Sequence, residues 1–355
     1  MIIFLCNSDV GKGNTIGARL GHILKKVSSY KAFVRKDYTQ NSNVTYVRGL
    51  DYLMKFLSAV PLITFDKIDL NKLKWYIFDH LALCYLKKQK NVAVIHSWDP
   101  LPRAFAYAKK RFGAKIILDV PIALPSIFDS LPEYFVQGRS NKISSYYHRS
   151  HEYVDTYIVP SQFVADSLGK VNFQNYVVIP FGVDSSLYVS QKKQKFFSYC
   201  FAGSINKRKG VPDLLEAWSL LGDESELHLY GMVYPEMKNI LRKYDSPKLF
   251  VHGFMDIKNV LGKHHVFVFP TLMEGSAKVV YEALACNLPV ITTYNAGSIV
   301  QDNVNGYIVP IADPAKLKDA MLKSRKNINH LSKNCVFVKE YSWDRYATRV
   351  IGEYR

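Results

Sequence analysis

The sequence predicts an α/β protein with two doubly wound domains, whose parallel sheets face each other across a cleft. Three observations support this prediction. The chain has 355 residues, of which 48% are hydrophobic, and this length suits two α/β domains better than one core. Short apolar runs alternate with amphipathic stretches through nearly the whole chain, as in repeated βα units. A polar run near residue 190 interrupts this alternation and divides the chain into two series.

The first half of the chain contains five short apolar runs of the kind that form buried parallel strands. Amphipathic stretches of helical length separate them, which favours an open sheet covered by helices. The predicted strands are residues 2–7, 91–98, 115–120, 156–161 and 175–180, and the predicted helices are residues 15–28, 72–88, 101–111 and 162–169.

The second half repeats this organisation with six further apolar runs. The predicted strands are residues 199–205, 227–231, 249–254, 266–271, 289–293 and 306–310. Because residues 190–195 are polar, we predict an N-terminal domain of residues 1–185 and a C-terminal domain of residues 186–340. Residues 341–355 are predicted to form a final helix that begins after the N-cap Ser342 and returns to the N-terminal domain.

The composition excludes several classes of protein. The five cysteines are odd in number, widely spaced and without a CxxC pair. This pattern indicates neither a disulfide framework nor a zinc site, and it favours a reducing cytoplasm. The first apolar run is short and has no basic segment before it, which favours a strand over a signal peptide. No window approaches the roughly 18 apolar residues of a membrane span.

The net charge of +17 favours an anionic partner, such as nucleic acid, a phosphate-bearing substrate or the cytoplasmic leaflet of a membrane. A general bias in residue usage is the alternative explanation. A nucleic-acid-binding protein is a weaker interpretation, since the aromatic residues are dispersed and no RRM, KH or helix-turn-helix pattern is present. Basic residues of the first domain that lie close together in sequence are candidates for contact with an anionic surface: Lys25, Lys26, Lys31, Arg35 and Lys36.

Ligands of open α/β sheets bind at the carboxyl ends of the strands, so functional residues are expected in strand-to-helix turns. The stretch PTLMEGSAKVVYEALACNLPVITT, residues 270–293, has such a turn between two glutamates, Glu274 and Glu282. The small residues of the turn let a ligand approach the backbone, and the N–H groups of the helix start attract an anion such as phosphate. Glu282 lies about 9 Å further along the helix, in position to accept hydrogen bonds from an attached ribose.

This stretch resembles the E-x7-E signature of retaining, nucleotide-sugar-dependent glycosyltransferases of GT-B fold, in particular family 4. The resemblance continues through NAGSIVQDNVNGYIVP. It implies two Rossmann-like doubly wound domains facing a cleft, the first of which receives the acceptor. It also implies that Glu274 contacts the transferred sugar and that Glu282 binds the ribose. The residues implied to hold the donor diphosphate are Gly275, Ser276, Ala277, Lys278 and Val279.

A second stretch, FAGSINKRKGVPDLLEAW, resembles the family's G-R-L-x-x-x-K-G element, with Gly203 at its first glycine. By this resemblance Lys209 is catalytic, because an ammonium group there offsets the negative charge that develops on the departing diphosphate. Ser204 stands where the family usually has an arginine. Arg208 is the candidate to replace that arginine.

The N-terminal half resembles the family less specifically. The loop NSDVGKGNTIGARL resembles the glycine-rich first loop of the fold, with Gly13 as a donor-binding candidate, although a plain turn also explains its glycines. The stretch VIHSWDP places His96 at the carboxyl end of a strand, where either a catalytic or a structural role fits. The stretch ILDVPIALP places Asp119 where many family members carry a histidine near the reacting sugar.

The resemblance implies a retaining glycosyltransferase that moves a sugar from a nucleotide-diphosphate donor to a saccharide acceptor, without a metal ion or a cofactor. A lipid-linked acceptor in cell-surface polysaccharide or lipopolysaccharide synthesis, at the cytoplasmic face of a membrane, would account for the charge. Residues 50–65 are apolar and form either a buried core element or an interfacial anchor. A sugar-nucleotide epimerase of the same fold is the nearest enzymatic alternative.

Overall fold

The computed structural model describes residues 1–10, 16–47, 70–136, 145–222 and 224–355. Within these residues the chain forms two sheets, of seven and six strands. Every pair of adjacent strands is parallel. The predicted α/β class with two doubly wound domains is therefore confirmed.

The N-terminal sheet has its strands in the order β3-β2-β1-β4-β5-β6-β7. Its order reverses next to the first strand, and such a reversal opens a crevice at the carboxyl ends. The five strands predicted for this half are confirmed. The strands are β1 (Ile2–Val10), β2 (Tyr30–Asp37), β3 (Val44–Tyr46), β4 (Val94–Ser97), β5 (Lys115–Asp119), β6 (Thr156–Val159) and β7 (Tyr176–Val178).

Two strands of this sheet, β2 and β3, were not predicted. The sequence of β2 is YKAFVRKD, and its charged residues interrupt the apolar run that marks the other strands. β3 has only three residues, which is too short for a periodic pattern. Both strands lie at one side of the sheet, where fewer apolar residues are needed for burial.

Helices cover both faces of this sheet. The one that begins at Pro102 has proline in its first turn and ends before Gly113, which has a φ of +63°, as helix starts and C-caps favour. The described helices are α1 (Ile16–Leu24), α2 (Leu70–Lys87), α3 (Pro102–Phe112), α4 (Glu133–Val136), α5 (Ser145–His151) and α6 (Gln162–Gly169).

The C-terminal sheet has the order β10-β9-β8-β11-β12-β13, and all six predicted strands are present. Its strands are β8 (Ser198–Ala202), β9 (Glu226–Tyr230), β10 (Leu249–Val251), β11 (Val266–Phe269), β12 (Val290–Thr293) and β13 (Gly306–Val309). Its helices are α7 (Val211–Ser219), α8 (Lys238–Lys243), α9 (Lys278–Ala285), α10 (Pro314–Lys326) and α11 (Ile328–Lys333).

The last helix, α12 (Trp343–Gly352), lies on the N-terminal domain. Its N-cap Ser342 accepts a hydrogen bond from a backbone N–H group in the first turn. Tyr346 is buried in the same core cluster as Phe4 of β1. None of the described helices combines the length and apolar character needed to cross a bilayer.

Candidate active site

The loop between β11 and α9, residues 270–277, is held by hydrogen bonds from two neighbouring loops. Leu272 N–H donates to the carbonyl of Arg208 (2.9 Å), and Glu274 N–H donates to the carbonyl of Asn295 (2.9 Å). Asn295 Nδ2 donates in return to the Leu272 carbonyl (2.8 Å). These bonds bring the two sequence motifs, around Arg208 and Glu274, together at the carboxyl end of the sheet.

Gly275 lies where the two domains touch. A Cβ atom at this position would be 1.7 Å from the carbonyl oxygen of Pro121, so no side chain fits. The Gly275 carbonyl accepts a hydrogen bond from Oγ of Ser161 (2.6 Å), which is also the N-cap of α6. Gly275, predicted to allow close approach of a ligand, therefore also allows the N-terminal domain to contact this loop.

The start of α9 has backbone N–H groups that lack partners within the described part of the chain. Its N-cap Ala277 has no side-chain acceptor, and the N–H groups of Lys278 and Val279 find no acceptor among the residues that the structure describes. Ser276 Oγ lies 2.8 Å from the hydroxyl of Tyr281, which fixes the turn. This helix start carries partial positive charge and suits a phosphate group.

Three charged side chains form an ion cluster beside this helix start. Oε1 of Glu274 accepts hydrogen bonds from Nζ of Lys209 and from the guanidinium group of Arg208. Arg208 also donates to the carbonyl of Met273 (2.8 Å). Burial lowers the pKa of Lys209, which the Glu274 carboxylate partly offsets. The cluster places two positive charges where a phosphate would meet the helix start.

Glu282 lies in the second turn of α9 and is only 5% exposed. Its Oε1 accepts a hydrogen bond from the hydroxyl of Tyr188 (2.8 Å) and lies 3.3 Å from Nζ of Lys278. No described residue donates to the other oxygen, Oε2. Oε1 of Glu282 is therefore fixed by its neighbours, whereas Oε2 can accept a further hydrogen bond.

A cavity of about 330 Å³ lies between the domains at this point. Glu274, Ser276 and Lys278 line it from the C-terminal domain, whereas Arg19 and Ile122 line it from the N-terminal domain. The predicted cleft between two sheets is thus formed by residues of both domains.

The second motif packs tightly on the strand ends. Gly203 follows β8 with a φ of +146°, and Gly210 has a φ of +68°; a Cβ atom on Gly210 would be 1.9 Å from the carbonyl oxygen of Pro270. Asn206 Oδ1 caps the short turn by accepting from Lys209 N–H (3.1 Å). Ser204 is half-buried. The guanidinium group that contacts Glu274 comes from Arg208, since position 204 is a serine in this chain.

The structure buries His96 in the N-terminal domain, which favours the structural one of the two roles considered for it. The His96 side chain is 0% exposed, stacks on Trp98 with ring centroids 4.2 Å apart, and has Nδ1 2.7 Å from the hydroxyl of Tyr354. Burial lowers the pKa of His96 to about 3. This histidine is a neutral core residue.

Asp119 is also buried, with 1% exposure. Its Oδ1 accepts a hydrogen bond from Nη1 of Arg19 (3.2 Å), and the hydroxyl of Tyr346 lies 3.5 Å from Oδ2. In this structure the Asp119 carboxylate therefore pairs with Arg19, and its expected place near the reacting sugar stays a prediction. Arg19, and not Asp119, lines the cavity.

Two candidates from the sequence fall on residues that the structure does not describe. Gly13, in the first loop, and residues 50–65, the possible interfacial anchor, both lie outside the described ranges.

Two of the basic residues proposed for an anionic surface form ion pairs within the protein. Lys26 lies 2.6 Å from a carboxylate oxygen of Asp344, and Arg35 lies 2.7 Å from one of Asp9. Lys31 donates a hydrogen bond from Nζ to Oε1 of Gln89 (2.9 Å).

Sequence reasoning missed three residues that shape the site: Arg19, Ser161 and Tyr188. Ser161 precedes the predicted helix 162–169, but its hydrogen bond to Gly275 of the other domain was not predicted. Arg19 and Tyr188 carry no local signal, since each meets its partner about a hundred residues away in sequence.

Part of the chain matches a known protein family. Residues 197–327 match the family described as glycosyl transferases group 1. An uncharacterized glycosyltransferase of Methanocaldococcus jannaschii is 24% identical over 84% of this chain and 92% of its own length. The UDP-Gal:alpha-D-GlcNAc-diphosphoundecaprenol alpha-1,3-galactosyltransferase of Escherichia coli is 32% identical over 22% of each chain.

Solved structures share the whole fold at low identity. Sucrose-phosphate synthase from Thermosynechococcus elongatus has a TM-score of 0.76 at 17% identity and covers 100% of this chain and 98% of its own. The lipopolysaccharide outer core galactosyltransferase WaaB has a TM-score of 0.74 at 12% identity and covers 99% of this chain and 98% of its own. These likenesses show the GT-B fold.

Proposed function

We propose that this chain is a glycosyltransferase of GT-B fold that transfers a sugar from a nucleotide-diphosphate donor to a saccharide acceptor with retention of configuration. One observation carries this proposal. The ion cluster of Glu274, Arg208 and Lys209 stands beside the start of α9 and the cavity between the domains.

The donor diphosphate takes the place of Glu274 on the two cations. Arg208 and Lys209 provide two positive charges, and the N–H groups of Lys278 and Val279 provide hydrogen-bond donors. A departing diphosphate gains negative charge as the bond to the sugar breaks, so these groups bind it most strongly in the transition state. Lys209 and Arg208 are therefore assigned to stabilisation of the leaving group.

Once the diphosphate holds the cations, Glu274 is released toward the sugar. Its carboxylate then accepts hydrogen bonds from sugar hydroxyl groups and stabilises an adjacent oxocarbenium-like centre. Glu282 binds the ribose through its remaining acceptor. In this proposal the two glutamates contact opposite ends of one donor molecule.

Metal independence belongs to the same proposal. The two cations and the helix start already offset the charge of the diphosphate, the role that a divalent ion has in many phosphate sites. Activity abolished by EDTA and restored by magnesium or manganese would contradict it.

The acceptor is proposed to be a lipid-linked saccharide at the cytoplasmic face of a membrane, in cell-surface polysaccharide synthesis. The name of the Escherichia coli relative specifies a diphosphoundecaprenol-linked acceptor, and the net charge of +17 favours anionic lipid. Sedimentation with anionic and neutral vesicles at low and high salt tests this assignment. Equal binding to both vesicles at low salt would remove it.

The function as a whole is tested by donor release. UDP-, GDP- and ADP-sugars are incubated with the protein without acceptor, and slow hydrolysis is measured. We expect one base to be preferred and an α-linked donor to release its sugar first as the α-anomer, as retention requires. Absence of hydrolysis and of binding for every donor would overturn the proposal.

A further inference from the structure

We propose that Tyr188 is a positioning residue for the ribose-binding carboxylate of Glu282. This inference rests on the proposed function, since it assumes that Glu282 meets a ribose. Tyr188 lies in the crossover between the domains, outside both sequence motifs. It touches the carboxylate and not the cavity between the domains.

The hydrogen bond between the two side chains has a fixed direction. The hydroxyl of Tyr188 lies 2.8 Å from Oε1 of Glu282, and an ionised carboxylate only accepts hydrogen bonds. Burial, followed by the charge of Glu282, raises the pKa of Tyr188. The hydroxyl therefore keeps its proton and donates it to Oε1.

Tyr188 is itself held rigidly. It is 6% exposed and belongs to the core of the C-terminal domain. A short 3-10 turn, Ser185–Leu187, precedes it, and the Asp184 side chain caps this turn by accepting from Ser186 N–H (3.2 Å). A rigid donor restricts the carboxylate to one orientation.

The two carboxylate oxygens of Glu282 have different roles in this arrangement. Oε1 takes the hydroxyl of Tyr188 and the nearby ammonium group of Lys278. Oε2 has no donor among the described residues. The geometry leaves Oε2 as the acceptor for the ribose hydroxyl groups, so a ligand need not displace Tyr188.

Removal of the hydroxyl lets the carboxylate rotate and lose its alignment with the ribose. The resulting loss of binding affinity is expected only for a ligand that has ribose hydroxyl groups. It appears equally in the ground state and the transition state, so KM for the donor rises while kcat stays nearly constant.

The test compares Tyr188→Phe with the wild type by calorimetry, using whichever of UDP, GDP or ADP the wild type binds most tightly and its 2′,3′-dideoxy counterpart. We expect Tyr188→Phe to weaken the ribonucleotide about tenfold, as the loss of a hydrogen bond to a charged group does. The dideoxy ligand should bind both proteins within about twofold.

Tyr199→Phe is the matched control. Its hydroxyl is also buried in the C-terminal domain, but it donates to the carbonyl of Met321 (2.9 Å), away from the site. We expect Tyr199→Phe to leave the affinity for both ligands unchanged, whatever it does to the unfolding midpoint. A general loosening of the domain would instead affect both variants and both ligands.

Glu282→Ala separates the two proposals. If Glu282→Ala removes the preference for the ribonucleotide and Tyr188→Phe keeps wild-type affinity, only the positioning role is wrong. Equal weakening of both ligands by Tyr188→Phe would also overturn it. If Glu282→Ala keeps the preference, or the wild type binds no nucleoside diphosphate, the ribose assignment and the positioning role both fail.

Discussion

On the C-terminal wall of the cleft, Glu274, Arg208 and Lys209 form an ion cluster beside the cavity, whereas on the N-terminal wall His96 and Asp119 are buried beneath it. Both sets of residues lie at or just after the carboxyl ends of strands, and both looked like site residues in the sequence. The difference is that the C-terminal set is partnered by groups a ligand can replace. The N-terminal set is partnered by core residues, so its polar atoms support the wall.

The largest effect is expected on the free energy of unfolding when a residue of the N-terminal wall is replaced. Asp119→Ala leaves the Arg19 guanidinium group buried without its partner, which should lower the free energy of unfolding by about 3–5 kcal/mol. Affinity for a nucleoside diphosphate should stay nearly constant in the folded fraction. Urea titration and calorimetry provide the two measurements.

The double variant Arg19→Met with Asp119→Ala is the control for this effect, because it removes both charges and should recover much of the lost stability. An Asp119→Ala protein of normal stability with strongly reduced turnover would restore the catalytic interpretation of Asp119.

Glu274→Ala should act on turnover and not on folding. We expect a loss of about 2–4 kcal/mol in transition-state stabilisation, because the sugar loses its carboxylate. Affinity for the bare diphosphate should be kept or improved, since Arg208 and Lys209 are freed from their ion pairs. Steady-state kinetics with Glu340→Ala as a surface control measures this. Turnover within threefold of wild type would show that Glu274 does not contact the reacting sugar.

Glu282→Ala should act mainly on nucleotide binding. Loss of hydrogen bonds to a charged acceptor should weaken the nucleoside diphosphate by about 1.5–3 kcal/mol, with a smaller change in kcat. Calorimetry against the wild type checks this expectation. An unchanged dissociation constant would contradict the ribose assignment, and Glu282 would then not belong to the ligand-binding residues of the C-terminal wall.

The smallest effect concerns pH. Burial lowers the pKa of Lys209 from the ordinary lysine value of 10.5, and only its ammonium form offsets the diphosphate charge. Activity, as kcat/KM, should therefore fall as pH rises through this lowered pKa. Lys209→Arg should remove the alkaline decline, because arginine stays charged. An identical alkaline limb in both proteins would assign it to another group.

Much of the C-terminal wall was predictable because its chemistry is local in sequence. A strand, a turn of small residues and a helix start occur within the stretch 266–285, with Glu274 in the turn and Glu282 in the helix. The strands β8 to β13 were predicted for the same reason, since each is a short apolar run with a turn on either side. The strands β2 and β3 were missed because neither contains such a run. Charged residues interrupt β2, and β3 has only three residues.

The sequence by itself therefore determined the strands and helices that carry a periodic apolar pattern, and the loops in which the two motifs stand. Only the tertiary structure decided which polar residues reach the cavity. Tyr188 meets Glu282 across 94 residues, Arg19 meets Asp119 across 100, and Tyr354 of the C-terminal segment meets His96 across 258. Such contacts depend on how two separately formed sheets and a returning helix pack together, and no local spacing in the chain records that packing.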